Sequence, residues 1–169
     1  ECVSTLCCLT AMADPLFDIS RHDLSIEFIT PSKLDDLLPQ CGDMRQVDRV
    51  AWIDDDATRA IGVKSVRNDE FWVPGHIPER PLLPGVIMIE AAAQLSSVLY
   101  QYRQNFEHSE FLGFTRVDDC VFRGTVEPGQ TLVLLAKEKK FQRRRFSCHA
   151  QGLVDGNVVF EVQCTGMRM

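Results

Sequence analysis

The chain has 169 residues, of which 45% are hydrophobic and 25% charged, and this composition is typical of a globular domain rather than a disordered or collagen-like chain. Its 18 Lys and Arg against 24 Asp and Glu give a formal net charge of −6, which disfavours a nucleic-acid partner. The most apolar stretch, Gly85 to Tyr102, contains Glu90 and further polar residues, whereas a membrane span needs about 20 mostly apolar residues, so no membrane partner is expected.

The N-terminal segment carries no basic residue and only a short apolar run, which argues against a secretory signal. We therefore expect residues 1–12 to be a non-native or disordered leader and residues 13–169 to form a single domain. The seven cysteines are odd in number and show no C-x-x-C or zinc-type spacing. This pattern favours reduced thiols, a cytoplasmic location and no metal site.

The first element predicted along the chain is a short helix. Thr30 can cap it, Pro31 suits its first position, and it should end at Leu38 because Pro39 follows. Two strands come next, Gln46 to Asp54 and Ala57 to Val66, joined by a polar turn.

The helix predicted from Val86 to about Arg103 is rich in Ala, Leu, Ile and Met, and its apolar residues surround the axis. Such a helix should be enclosed by other elements. After Asn105 the pattern changes to strands and tight turns. The strands predicted there are Glu110 to Phe114, Cys120 to Val126, Thr131 to Lys139, Arg144 to Val154 and Val158 to Met167. Together these elements predict an α+β domain in which a five- to six-stranded, mostly antiparallel sheet wraps a long central helix.

The loop before this helix carries a histidine. Four prolines between residues 74 and 84 fix the backbone and remove four N–H donors, so the loop should hold His76 in place. Glu90 lies within the apolar helix, where burial disfavours an ionised carboxyl group. A near-neutral His76 and a protonated Glu90 would form a base and acid pair, and Gln94, one turn further, could hydrogen-bond near Glu90.

The start of the helix offers backbone donors. The N–H groups of Gly85 and Val86 have no partner in a regular helix, and the helix dipole there favours negative charge, so they are a candidate oxyanion hole. Taken singly, His76, Glu90 and the Pro-Gly start each have an ordinary structural interpretation. The functional hypothesis depends on their combination in one segment.

Three motifs in this segment stand at a fixed spacing: residues 75–78 read Gly-His-Ile-Pro, residues 84–86 read Pro-Gly-Val, and residues 90–94 read Glu-Ala-Ala-Ala-Gln. With these motifs the segment resembles the hotdog-fold β-hydroxyacyl-acyl carrier protein dehydratases, the FabA and FabZ family. The similarity continues to the C-terminus, and Glu90, where the FabA branch has Asp, indicates the FabZ type. The chain departs from the family at Ile77, usually Phe, and at residues 39–44, where Pro-Gln-Cys-Gly-Asp-Met replaces Pro-His-Arg-Tyr-Pro-Phe.

The resemblance implies dehydration of a (3R)-hydroxyacyl-acyl carrier protein to the trans-2-enoyl product in fatty acid synthesis. His76 would be the base, Glu90 the acid and Gly85 the oxyanion donor, with no metal or organic cofactor. It also implies a homodimer, in which His76 of one protomer faces Glu90 of the other, and trimers of dimers occur in the family. Two alternatives remain open: a hotdog acyl thioesterase, and a non-catalytic module that binds acyl thioesters.

A basic stretch from Lys137 to Arg145 stands out in this acidic chain. With six basic residues and one acid it is either a solvated hairpin end or a docking site for an acidic acyl carrier protein. The candidate docking residues are Arg80, Lys139, Lys140, Arg143, Arg144 and Arg145.

Overall fold

The computed structural model describes residues 13–105 and 111–169, and the expected leader, residues 1–12, lies outside them. The helices are α1 (Pro31–Leu37), a short 3-10 helix (Gly42–Met44) and α2 (Gly85–Arg103), and the strands are β1 (Arg49–Ile53), β2 (Arg59–Ser65), β3 (Leu112–Phe122), β4 (Thr131–Phe141), β5 (Arg145–Val154) and β6 (Asn157–Arg168). All strand pairs are antiparallel, in the order β1-β2-β4-β5-β6-β3. The predicted α+β architecture is confirmed.

The inner face of the sheet packs on α2. Alternate residues of β4, Leu132, Leu134 and Ala136, are fully buried there, as the two-residue period of a strand requires. The helix packs closely against β2 at Gly62, where a Cβ atom would lie 3.0 Å from Cδ1 of Leu95. As predicted, the middle of α2 is enclosed by other elements.

The outer face of the sheet is also covered, which the sequence did not predict. Residues 13–30, the described segment before α1, pack several apolar side chains on this face. The backbone N–H of Leu16 donates to Oε1 of Gln151 at 2.8 Å. The buried outer-face residues are Ala51, Ile61, Val63, Val133, Leu135, Leu153 and Val158. The centre of the sheet is therefore apolar on both sides.

The prediction of two strands at Glu110 to Phe114 and Cys120 to Val126 is wrong, although Glu110 itself lies outside the described residues. One long strand, β3, runs through the polar residues 115–119 and pairs with β6. Two register shifts, between Phe114 and Arg116 and between Asp118 and Val121, absorb the extra residues. The strand ends at Phe122, before the second predicted strand would have ended.

The other predicted elements are confirmed to within a few residues at their ends. The hydroxyl of Thr30 accepts from the N–H of Lys33 at 3.3 Å and caps α1 as predicted. The turn at Asp155 and Gly156 has positive φ at both residues, which matches the hairpin expected there. Within the described residues, no helix combines the length and apolar character needed to cross a bilayer.

A buried ion pair fixes the start of the loop between β2 and α2. Nζ of Lys64 lies 3.0 Å from Oε2 of Glu70, and the two side chains are 2% and 4% exposed. The same carboxylate accepts from Nε1 of Trp72 at 2.9 Å and from the N–H of Arg67 at 2.9 Å. Burial acts to raise the pKa of Glu70, but these hydrogen bonds and the charge of Lys64 outweigh it, so the pKa lies below its ordinary value.

We expect Glu70→Gln to lower the free energy of unfolding at pH 7 by about 3–5 kcal/mol, because it leaves the buried Lys64 ammonium without its carboxylate. Urea denaturation measures this change. Asp36→Asn, which removes an exposed ion pair with Lys33, is the matched control and should cost at most about 1 kcal/mol.

The stability difference between wild type and Glu70→Gln should depend on pH. Since the folded-state pKa of Glu70 is lowered, the carboxylate contributes its full stability above the unfolded-state pKa. That contribution is lost as the pH falls through the lower, folded-state pKa. A difference that stays constant from neutral pH to acid would contradict this assignment.

Candidate active site

The loop that carries His76 is anchored at both ends. The carbonyl of the buried Trp72 accepts from the N–H groups of Gly75 at 3.1 Å and His76 at 2.8 Å. At the other end, the N–H of Leu83 donates to the carbonyl of Val126 at 2.8 Å. The loop therefore holds the half-buried His76 through backbone hydrogen bonds rather than through regular secondary structure.

The imidazole of His76 is fixed by one carbonyl group. Its Nδ1 lies 2.7 Å from the carbonyl oxygen of Leu82. Because a carbonyl only accepts, Nδ1 is the donor in this bond, and when the ring is neutral Nε2 therefore keeps its lone pair. This tautomer is the one that a general base requires.

Glu90 is the sixth residue of α2 and is half-buried. The hydrogen bonds to its carboxyl group in the described part of the chain all reach the same oxygen, Oε1. Oε1 accepts from Nε2 of Gln94 at 2.8 Å and from Nε2 of Gln40 at 3.1 Å. Within the described residues, no group donates to Oε2. The second oxygen is therefore available to a ligand.

Gln94 is only 1% exposed, and both polar atoms of its side-chain amide are hydrogen-bonded. Besides Glu90, its Nε2 donates to the carbonyl of Met44 at 2.7 Å, and its Oε1 accepts from the N–H of Gln46 at 2.8 Å. The predicted contact with Glu90 is present. Gln94 also ties the segment before β1 to the middle of α2.

The first turn of α2 has unpartnered donors. Its cap is Pro84, which supplies no side-chain hydrogen bond, and in the part of the chain that the structure describes nothing accepts from the N–H groups of Gly85 or Val86. The Val86 side chain is 70% exposed. This end of the helix can therefore receive a negatively charged oxygen.

A packing constraint accounts for glycine at the start of α2. A Cβ atom at Gly85 would lie 2.7 Å from Cζ of Phe122, the last residue of β3. The ring of Phe122 therefore lies directly against the first turn of the helix. The edge strand and the predicted oxyanion donors are therefore neighbours in space.

One hydrogen bond joins two of the predicted site side chains. Glu90 and Gln94 share a hydrogen bond, whereas among residues 13–105 and 111–169 no hydrogen bond or ion pair joins His76 to Glu90. No three His, Cys, Asp or Glu side chains in these residues are grouped to hold a metal ion.

The predicted docking residues are divided between two places. Arg80 is exposed on the His76 loop and pairs with Glu127 at 3.5 Å. The others lie at the β4–β5 hairpin, where the hydroxyl of Tyr100 donates to the carbonyl of Arg143 at 2.9 Å. Tyr100 is ten residues beyond Glu90, so this hairpin meets α2 about 15 Å further along the helix axis. Lys139, Lys140 and Arg145 line a cavity of about 410 Å³ on this part of the sheet.

Sequence reasoning missed Gln40, the carbonyl of Leu82 and the ring of Phe122. Backbone carbonyls carry no residue-specific signal, and the Phe122 contact joins distant parts of the chain. Gln40 lies in the tract that departs from the resembled family, and that departure was the available signal.

Comparison with known proteins places the chain in a family. The sequence model of the FabA-like domain matches residues 38–163. A 3-hydroxyacyl-[acyl-carrier-protein] dehydratase FabZ from Herpetosiphon aurantiacus is 38% identical over 125 residues, which cover 74% of this chain and 87% of the relative. The FabZ dehydratase of Xanthomonas campestris is 31% identical over 160 residues, covering 93% and 99% of the two chains.

Solved structures share the architecture. A chain of the dehydratase heterocomplex ApeI:P from Xenorhabdus doucetiae superposes with a TM-score of 0.69 at 16% identity, covering 80% of this chain and 90% of that one. Zebra fish thioesterase superfamily member 2 gives 0.60 at 11% identity, covering 83% and 99%. These similarities confirm the predicted hotdog fold, which occurs both in a dehydratase and in a thioesterase.

The family match covers most of the chain, and the FabZ dehydratase of Xanthomonas campestris matches it over a longer span still. The chain therefore belongs to the FabA-like family and is a dehydratase of the FabZ type.

Proposed function

We propose that the protein removes water from a (3R)-hydroxyacyl chain bound to acyl carrier protein and releases the trans-2-enoyl thioester, as a step of fatty acid synthesis. The observation that carries this proposal is that each of the two side chains keeps one atom without a partner. Among the described residues, no group is hydrogen-bonded to Nε2 of His76 or Oε2 of Glu90, so the first atom is available to accept a proton and the second to donate one when it carries a proton. The family supports the same reaction, since its curated relatives are named for it.

In the proposed reaction, Nε2 of His76 takes the C2 proton of the substrate, which the thioester carbonyl makes acidic. The electrons of that C–H bond form the C2–C3 double bond as the C3–O bond breaks. Protonated Glu90 gives its proton to the departing hydroxyl from Oε2, and water leaves. Proton transfer from the imidazolium to the carboxylate through solvent restores both groups, and the step uses no metal or organic cofactor.

Negative charge develops on the thioester oxygen while the C2 proton leaves. The free N–H groups of Gly85 and Val86 are the donors we assign to that oxygen, and the helix dipole adds to their effect. An oxyanion donor of this kind contributes about 10²–10³-fold to the rate.

We expect His76→Ala and Glu90→Gln each to lower kcat by about 10²–10⁴-fold, the usual contribution of a general acid or base. Both variants should keep the wild-type thermal midpoint. The measurement is enoyl formation from a 3-hydroxyacyl thioester. His149→Ala, on the outer face of the sheet, and Glu27→Gln, an exposed residue, are the matched controls and should remain active. Near-normal turnover by both site variants would overturn the assignment.

The same assay separates dehydration from the two alternatives. Enoyl formation without release of free thiol supports the dehydratase, whereas thiol release would identify a thioesterase. Tight binding of the thioester without any turnover would identify a non-catalytic module.

We infer that the active unit is a homodimer assembled along β3. This strand is an edge of the sheet, so half of its backbone groups lack a neighbouring strand. It also exposes four apolar side chains, Phe114, Val117, Val121 and Phe122, each at least 40% accessible. A second copy at this edge would lie next to Phe122 and the start of α2, where we propose that it supplies His76 to the Glu90 of its partner.

Mixing the two inactive variants tests this shared site. If each site combines His76 of one protomer with Glu90 of its partner, a mixed dimer of His76→Ala and Glu90→Gln contains one intact site. Random reassociation should then restore about a quarter of wild-type activity, since half of the dimers are mixed and each has one working site. No restored activity, in a mixture shown by mass spectrometry to contain mixed dimers, would contradict a site built from two protomers.

We propose acyl carrier protein as the partner and the hairpin residues Lys139, Lys140, Arg143, Arg144 and Arg145, with Arg80, as its docking contacts. The supporting observation is exposed positive charge on a chain of net charge −6.

We also propose that the protein is cytoplasmic. The four free thiols among the described cysteines suit this location.

We expect Arg143→Glu with Arg144→Glu to raise KM for the carrier-bound substrate on the order of tenfold, because reversed charge slows encounter with an acidic partner. Added salt should weaken wild-type turnover of the same substrate. Turnover of a small thioester analogue is the control and should be unchanged. An equal loss with both substrates would argue against docking at the hairpin.

A further inference from the structure

We propose that Gln40 is a positioning residue for Glu90, holding Oε1 so that Oε2 faces the substrate. This inference rests on the proposed function, because it assigns a role within the same reaction. Gln40 lies outside the helix that carries Glu90 and is 50 residues away in sequence. It belongs to residues 39–44, the tract in which this chain departs from the family it resembles.

The two donors on Oε1 come from different elements. Gln94 approaches along α2, one turn beyond Glu90, and Gln40 approaches from the segment before β1. A carboxyl group held by a single donor can still turn about its last bond and exchange its two oxygens. A second donor on the same oxygen opposes that exchange, so Gln40 and Gln94 together keep Oε2 as the outward oxygen.

The backbone of Gln40 is itself held in place. The carbonyl of Gln40 accepts from Nε of Arg45 at 3.1 Å and from Nη2 at 2.6 Å, and Nη2 also lies 3.0 Å from Oδ1 of Asp35. Gly42 adopts a φ of +53°, in the left-handed region that favours glycine. This turn folds the segment back, so Gln40 and the partners of Gln94 reach the same face of α2.

The amide of Gln40 can serve both protonation states of Glu90. Its Oε1 is buried and, within the described residues, has no hydrogen-bond partner. In the arrangement described, Nε2 donates to Glu90. When the proton of Glu90 is on Oε2, Oε1 of Glu90 is an acceptor both in the acid and in the carboxylate. Nε2 of Gln40 can therefore stay bonded to that Oε1 before and after Glu90 gives up its proton.

Gln40→Met tests this role, because methionine keeps the unbranched length but has no N–H group. We expect kcat for a small 3-hydroxyacyl thioester to fall on the order of tenfold to a hundredfold, while KM stays within about twofold, since misplaced catalytic groups lower the chemical step. The thermal midpoint should match that of wild type. Gln40→Leu, a second variant without the donor, should give the same split. Gln104→Met, at the end of α2, is the matched control and should leave kcat unchanged.

A double-mutant cycle separates positioning from a general structural effect. If Gln40 acts only through the Glu90 carboxyl group, then Gln40→Met should change the residual kcat of Glu90→Gln by less than about twofold. A loss as large in that background as in wild type would show that Gln40 supports the fold of the loop instead, and would overturn the proposal. So would a wild-type kcat in both Gln40 variants.

The outcome for wild type distinguishes the two levels of inference. If wild type forms no enoyl product, the proposed function fails and the role of Gln40 fails with it. If wild type is active and the Gln40 variants match it, only the role of Gln40 is overturned.

Discussion

A carboxyl group placed in an apolar helix must keep its hydrogen bonds, and much of the structure around Glu90 meets that requirement. Gln94 supplies one donor from the same helix and Gln40 a second from a distant segment. Gln94 in turn needs the backbone of Met44 and Gln46 to satisfy the rest of its amide. The segment before β1 therefore completes the hydrogen bonding around Glu90, and its irregular path follows from the partners that it must reach.

His76, the proposed base, is held in a different way. The prolines of the loop lack N–H groups, so few donors compete for the loop's carbonyl oxygens, and the carbonyl of Leu82 accepts from the ring of His76. The buried pair of Lys64 and Glu70 fixes Trp72, whose carbonyl holds the backbone of His76. His76 thus depends on a rigid loop, whereas Glu90 depends on a helix and on side-chain amides. The two proposed catalytic groups are therefore supported independently of each other.

The parts of this protein that follow from local signals could be predicted from the sequence. The Thr30 cap, the start of α2 at Pro84 and Gly85, and the turn at Asp155 each depend on residues close together in the chain. The same is true of the bond between Glu90 and Gln94, four residues apart. The contact of Gln40 with Glu90 depends on how segments 50 residues apart come together, and no local pattern specifies it. β3 was divided in the prediction because a bulged strand tolerates polar residues that otherwise indicate a turn.

The segment before α1 changes what the central strands can tolerate. In a two-layer domain every second residue of a strand meets water and accepts polar substitutions. Here Val133 and Leu135 lie under the segment before α1, whereas Leu134 lies under α2, so consecutive positions of β4 are all interior. The middle strands behave as the central layer of a three-layer sandwich. Tolerance to mutation should therefore concentrate at the ends of the strands, where neither cover extends.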